Sequence, residues 1–85
     1  MRRDADFFGD RELSLVYIAR KLKEALAIEE LLTRERIDYA VECDRYSGGI
    51  IFQTERIGAF FYVDAGLEGR TEAILTSQGY KPFRP

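Results

Sequence analysis

The feature that most constrains the fold is the apolar run at residues 57–64, which reads Ile-Gly-Ala-Phe-Phe-Tyr-Val-Asp. Aromatic and β-branched side chains dominate its second half, which favours a strand over a helix. A strand that is apolar on both faces usually lies in the middle of a sheet. Alternation divides the run into a face that we expect to pack on helices, with Ala59, Phe61 and Val63, and an opposite face with Phe60 and Tyr62.

The rest of the chain divides by its hydrophobic periodicity and its turn residues. The predicted elements are strand 13–19, helix 21–36, strand 38–45, a turn at 46–49, a short strand 50–55, a bend at 56–58, the central strand 58–64, helix 65–78 and a short edge strand 80–83. Asp64 is placed to cap the second helix at its start, and Gly79 to end it in a left-handed conformation. The alternation within 38–45 predicts that Cys43 is a small core residue.

This order of elements predicts an α+β fold of the ferredoxin-like, split βαβ type. Because strand–helix–strand crossovers are right-handed, the sheet should be antiparallel with both helices on one face. One extra short strand is added to that arrangement. We divide the chain into a charged leader, residues 1–12, and a single domain, residues 13–85. Phe7 and Phe8 in the leader allow two interpretations, a frayed terminus or a segment pinned to an apolar surface.

Composition excludes several classes of function. The formal net charge is −2, whereas proteins built to hold nucleic acid or anionic membranes need a concentrated basic face. Histidine is absent and cysteine occurs once, so the commonest metal ligands and general acid–base groups are missing. We therefore expect no catalytic activity, no cofactor and no metal. The single cysteine, together with the lack of a signal peptide or long apolar segment, predicts a cytoplasmic location without membrane insertion.

Three segments give the chain a resemblance to a known family. They are residues 15–20, Leu-Val-Tyr-Ile-Ala-Arg; the stretch from Glu24-Ala25 through Glu29-Glu30-Leu31-Leu32; and residues 61–63, Phe-Tyr-Val, leading into the second helix. Over roughly residues 14–80 the chain resembles a family of small bacterial domains of unknown function that are described as signal-transducing proteins. That family is similar in outline to the PII-type nitrogen regulators. The resemblance implies binding or signalling rather than catalysis.

The first candidate site is the sheet face away from the helices. Alternation in the two inner strands predicts that Leu15, Tyr17, Phe60 and Tyr62 cluster there. Apolar patches of this kind mark sites of association or ligand binding. The face could also be covered from within the chain, by Phe7 and Phe8 of the leader or by the extra strand. A small-molecule or nucleic-acid site is the remaining alternative.

The nucleic-acid alternative rests on the RNA recognition motif, which has the same element order and stacks bases on aromatic residues of its inner strands. Residues 16–18, Val-Tyr-Ile, resemble the shorter of its two signature motifs, and residues 56–63 resemble the longer one in part. Arg56, Ala59 and Phe60 fit the longer motif. Gly58 and Val63 stand where aromatic residues are expected. The acidic charge of the chain also argues against RNA.

The second candidate site is a group of cations, Arg20, Lys21 and Lys23, at the start of the first helix. The unpaired N–H groups and dipole of a helix N-terminus attract phosphate or carboxylate. The competing interpretation is that these side chains point into water, because no glycine-rich loop accompanies them. We therefore predict a non-catalytic regulatory domain that forms a homo-oligomer, with a dimer as the expected state. A protein partner or a small anionic ligand is an alternative.

Overall fold

The computed structural model describes residues 1–48 and 54–83, and it is an α+β fold built on a three-stranded antiparallel sheet. The elements in chain order are α1 (Ala5–Phe8), β1 (Leu13–Ala19), α2 (Leu22–Arg34), β2 (Tyr39–Gly48), β3 (Thr54–Asp64), a 3-10 turn (Ala65–Leu67) and α3 (Glu68–Ser77). The strands lie in the order β1-β3-β2. The prediction that residues 58–64 form an inner strand is therefore confirmed.

The hydrophobic core lies between one face of the sheet and the two long helices. Phe61 and Val63 of β3 are fully buried there, as the alternation predicted. Ile28 of α2 and Leu75 of α3 are also fully buried and belong to the same cluster. Both helices therefore pack on one face of the sheet. The helical bounds are close to those predicted for 21–36.

A β-bulge in β1 changes which side chains face the core. Leu15 lies opposite Tyr62, but Tyr17 lies opposite Phe61, so Val16 is an extra residue in the ladder. An extra residue shifts the two-residue alternation by one position. Tyr17 therefore faces the helices instead of the opposite side of the sheet.

The second half of the sheet is a long, regular ladder. β2 and β3 pair without a register shift from Tyr39 opposite Val63 to Gly48 opposite Thr54. The predicted bend at 56–58 is wrong, because these residues continue β3 and pair with β2. Residues 54 and 55 of the predicted short strand also belong to β3, and residues 50–53 lie outside the described part of the chain.

The second predicted helix divides into two parts. Asp64 caps it as predicted: its side-chain Oδ1 accepts a hydrogen bond from the Gly66 backbone N–H at 2.9 Å. A 3-10 turn, Ala65–Leu67, follows and leads into α3. Gly79 has a φ of +86°, the left-handed conformation expected of a residue just past a helix end.

The predicted edge strand at 80–83 does not form. The Phe83 N–H donates to the Val16 carbonyl at 2.8 Å, which is a single backbone contact with β1. Cys43 also differs from its prediction, because it is exposed. It lies opposite Ala59 on the helix side, but at an edge strand where the core is thinner.

Candidate functional site

The sheet surface turned away from α2 and α3, which we call the open face, carries two rows of apolar side chains. In one row Leu15 of β1 lies opposite Tyr62 of β3, which lies opposite Ala40 of β2. In the next row Ile18 lies opposite Phe60. All five of these residues are half-buried. Three of the four residues predicted for this face, Leu15, Phe60 and Tyr62, are therefore brought together.

Tyr17, the fourth predicted residue, is not part of the open face. The bulge at Val16 turns it into the core, where it is 9% exposed. Its ring makes an edge-to-face contact with Tyr80, with ring centroids 5.8 Å apart. Burial raises the pKa of Tyr17 to about 12, and the nearby Glu24 carboxylate adds to this shift. Tyr17 is therefore a core residue of the helix side.

Ile18 takes the place on the open face that the sequence assigned to Tyr17. Strict alternation had placed Ile18 with Val16 on the helix side. Residues 15–18 are all apolar, so no polar residue marks the position at which the alternation shifts. The sequence therefore held no signal that could have located the bulge.

The leader pairs with the outer edge of β2. The Tyr39 N–H donates to the Met1 carbonyl at 3.0 Å, and the Arg3 N–H donates to the Tyr39 carbonyl at 2.7 Å. Arg2 forms a parallel bridge with Tyr39 between these two bonds. The Arg3 side chain also bonds Asp38 at 2.9 Å. The leader is thus attached to the start of β2.

The two leader phenylalanines have different roles. Phe8 is 3% exposed. This side chain is therefore buried, in agreement with the interpretation that the leader packs on an apolar surface. Phe7 is 44% exposed and has the guanidinium groups of Arg3 and Arg11 over its ring. Both rings line a small cavity at the end of the sheet, together with Asp38, Asp64, Gly66 and Leu67.

The leader flanks one end of the open face. Arg2, Arg3, Asp4 and Ala5 form one wall of a cleft of about 520 Å³, and its other wall includes Leu13, Ala40 and Tyr62. The row of Ile18 and Phe60 does not line this cleft. The leader therefore borders the Tyr62 end of the open face.

Among the side chains that the structure describes on the open face, Glu42 carries a negative charge. Glu42 is exposed and lies opposite Phe60 in the ladder. The two cations of the leader that border the face are already paired, since Arg2 lies 3.7 Å from Glu29 and Arg3 lies 2.9 Å from Asp38. Proteins that bind single-stranded nucleic acids combine aromatic residues with a positively charged groove. The side chains that the structure describes on this face supply aromatic residues, but these lie beside a carboxylate and not in a positively charged groove.

The three cations predicted to attract an anion, Arg20, Lys21 and Lys23, are all exposed at the start of α2. Lys21 is the N-cap and makes no side-chain capping bond. A carboxylate already lies at this helix start, because Glu24 Oε1 accepts a hydrogen bond from the Arg20 N–H at 3.4 Å. Glu24 therefore offsets part of the positive charge that an anionic ligand would meet.

No family model matches the chain, and neither the curated proteins nor the solved structures include a significant match. Within residues 1–48 and 54–83, no helix has both the length and the apolar character required to cross a membrane. In the same part of the chain, no three or more acidic or cysteine side chains are grouped as a metal site would require.

Proposed function

We propose that this chain is a non-catalytic regulatory binding domain that self-associates through its open face. The observation that carries the proposal is the pair of adjacent apolar rows, Leu15 with Tyr62 and Ile18 with Phe60, on a sheet face that packs against neither long helix. Contiguous apolar surface of this kind marks an association site. The family resemblance of the sequence to signal-transducing domains points to the same class of function.

A ferredoxin-like fold is part of this proposal. The strand order β1-β3-β2 and the position of both helices on one face are consistent with it. The backbone contact of Phe83 with Val16 supports it further, because it places the segment after α3 beside β1, where that fold has its fourth strand. In such folds the face opposite the helices is available for binding.

A second copy of the chain is the occupant that best fits the open face. Homodimer interfaces are the most apolar class of protein interface, and aromatic residues are enriched at their centres. Phe60 and Tyr62 supply such a centre. The exposed Glu42 beside Phe60 disfavours RNA, whose phosphates it would repel. The single cysteine, which cannot form an internal disulfide, is consistent with a cytoplasmic location.

The test is the effect of Phe60→Glu on the mass in solution, measured by light scattering and sedimentation velocity at micromolar concentrations. We expect the wild type to exceed the monomer mass and the variant to lose the open-face contact, because a buried unpaired carboxylate is strongly unfavourable. Phe7→Glu is the matched control. It makes the same chemical change at an aromatic residue that is already 44% exposed in the leader.

Two results would overturn the proposal. One is a wild-type protein that stays monomeric at hundreds of micromolar. The other is an association that Phe60→Glu and Phe7→Glu leave equally strong. Far-ultraviolet circular dichroism on both variants separates loss of association from loss of fold.

A further inference from the structure

A groove of about 260 Å³ lies on the helix side of the sheet, between β2 and the first turns of α2. Its lining includes four small residues that are buried or half-buried, Ala19, Ala25, Gly58 and Ala59. None of them has a side chain larger than a methyl group, so the helix and the sheet leave space between them here. Further along α2, the fully buried Ile28 and Leu32 fill the corresponding layer.

The two ends of this groove differ in charge. At the end near the start of β2, the Glu29 carboxylate accepts a hydrogen bond from the Tyr39 hydroxyl at 3.1 Å and lies 3.7 Å from Arg2. At the other end, Arg20 and Lys21 line the groove where they follow β1. Among the lining residues that the structure describes, Glu29 is the one carboxylate, and it is already bonded. The end at Arg20 and Lys21 is therefore positively charged.

Lys21 has no partner among the described carboxylates. Its side chain is exposed, makes no capping hydrogen bond and forms none of the ion pairs in the described part of the chain. Glu24, the carboxylate at the start of α2, lies beside the Tyr17 hydroxyl and does not line the groove. The positive charge at the Lys21 end therefore faces the groove.

We propose that this groove binds a small amphipathic carboxylate. The apolar chain of the ligand lies between α2 and β2, against Ala25, Val41 and Ala59, and is removed from water there. Its carboxylate lies at the Lys21 end, beside Arg20, and accepts charge-assisted hydrogen bonds. The groove thus offers an apolar lining and a cationic end in the order that such a molecule requires.

Charge and size select this occupant over others. A cationic head group would meet Lys21 and Arg20, which repel it. Pockets for drug-sized ligands usually measure roughly 300–1,000 Å³, so a groove of about 260 Å³ suits a smaller molecule with one head group. Leu22 lines the groove and is 75% exposed, so a bound apolar chain also covers part of this side chain. The open face lies on the other side of the sheet, and binding in the groove is therefore independent of self-association.

Octanoate is the probe, titrated into the full chain by isothermal titration calorimetry and compared with hexanoate and octyltrimethylammonium. Each buried methylene group raises affinity roughly fourfold, so octanoate should bind about fifteen times more tightly than hexanoate. Octyltrimethylammonium has the same apolar chain with a cationic head. It should bind at least about tenfold more weakly than octanoate, because it cannot accept a hydrogen bond from Lys21.

The deciding variant is Lys21→Glu, which reverses an exposed charge and leaves the core unchanged. The affinity for octanoate should fall at least about tenfold, as expected when a hydrogen bond between charged groups is lost. Lys23→Glu is the matched control. It makes the same change two residues later in α2, at an exposed side chain that does not line the groove. At about 0.15 M salt it should change the affinity by less than about threefold, because distant exposed charges are screened.

Cys43 shows where the ligand binds, because its side chain is exposed and lines the groove. Saturating octanoate should slow its alkylation by N-ethylmaleimide in the wild type and in Lys23→Glu. The proposal is overturned if octanoate does not bind at millimolar concentration or if octyltrimethylammonium binds equally well. It is also overturned if Lys21→Glu and Lys23→Glu bind octanoate with equal affinity, or if bound octanoate leaves the alkylation of Cys43 unchanged.

Discussion

At the scale of single residues, the backbone of Arg36 is strained. Its φ is +58°, a left-handed conformation that is unfavourable for residues with a side chain. It ends α2 in a Schellman motif: the Arg36 N–H donates to Thr33 and the Ile37 N–H donates to Leu32. Glycine is the usual residue at this position because it has no Cβ. The helix end is therefore well bonded but occupied by an unfavourable residue.

Arg36→Gly should stabilise the protein by roughly 0.5–1 kcal/mol, because it relieves the left-handed strain by more than it increases the entropy of the unfolded chain. Urea unfolding followed by circular dichroism measures this change. The matched control is Gly79→Ala, which places a Cβ at a φ of +86° without a steric clash. It should destabilise by about 1 kcal/mol. A destabilised Arg36→Gly protein would contradict the assignment.

At the scale of elements, the sequence identified the central strand but could not identify the bulge beside it. The two-residue alternation of the run at 57–64 does not depend on which strands pair with it. Phe61 and Val63 were therefore correctly assigned to the face that packs on the helices. In β1, residues 15–18 are all apolar, so each of them could lie on either face of the sheet. Tertiary packing decides which face each side chain occupies. The choice of open-face residues therefore failed in β1, where Tyr17 was assigned to this face in place of Ile18.

The two faces of β3 should differ in their contribution to stability. Phe61 is fully buried and Phe60 is half-buried. Phe61→Ala should therefore cost roughly 3–5 kcal/mol of the free energy of unfolding, the usual range for truncating a buried phenylalanine. Phe60→Ala, measured below the concentration of association, should cost less than half as much. Equal losses in guanidinium unfolding would mean that the open face is covered within one copy.

At the scale of the whole molecule, the sequence located the order of elements better than their junctions. Gly58 suggested a bend, but ten paired positions between β2 and β3 fix it in an extended strand. The final segment, residues 80–83, was predicted as a short edge strand because it is long enough for one and because a proline is tolerated at a sheet edge. A single backbone bond to Val16 leaves it as an irregular segment against β1. Pairing partners, which local pattern does not reveal, decided both outcomes.

Stability should fall at alkaline pH because buried tyrosines keep their protons in the folded state. The pKa of Tyr17 is raised by burial from 10.0 to about 12, and burial also raises the pKa of Tyr39. Below about pH 10, Tyr17 is protonated in both the folded and the unfolded chain, so its ionisation does not lower the free energy of unfolding. Between about pH 10 and 12 the unfolded chain loses this proton first, so the free energy of unfolding falls with rising pH.

Tyr17→Phe should flatten this decline, as measured by urea unfolding at intervals from pH 9 to 12. Absorbance at 295 nm on the folded wild type should contain a tyrosine component that titrates near pH 12 and is missing from the variant. Tyr39→Phe provides the comparison, since burial raises the pKa of this second tyrosine as well. A variant with the same decline as the wild type would show that Tyr17 ionises freely in the folded protein.

The strand order has a consequence for how the chain folds during synthesis. β1 and β2 each pair with β3 and not with each other, so neither has its strand partner until β3 has been made. The leader meets Tyr39 earlier, but by only two backbone bonds. When residues 1–48 have emerged from the ribosome, the nascent chain therefore contains helix α2 and two strands, β1 and β2, that do not yet have β3 to pair with. The hairpin of β2 and β3 has the most local pairing, and β1 joins it by closing a loop of nearly forty residues between Ala19 and its partner Ala59.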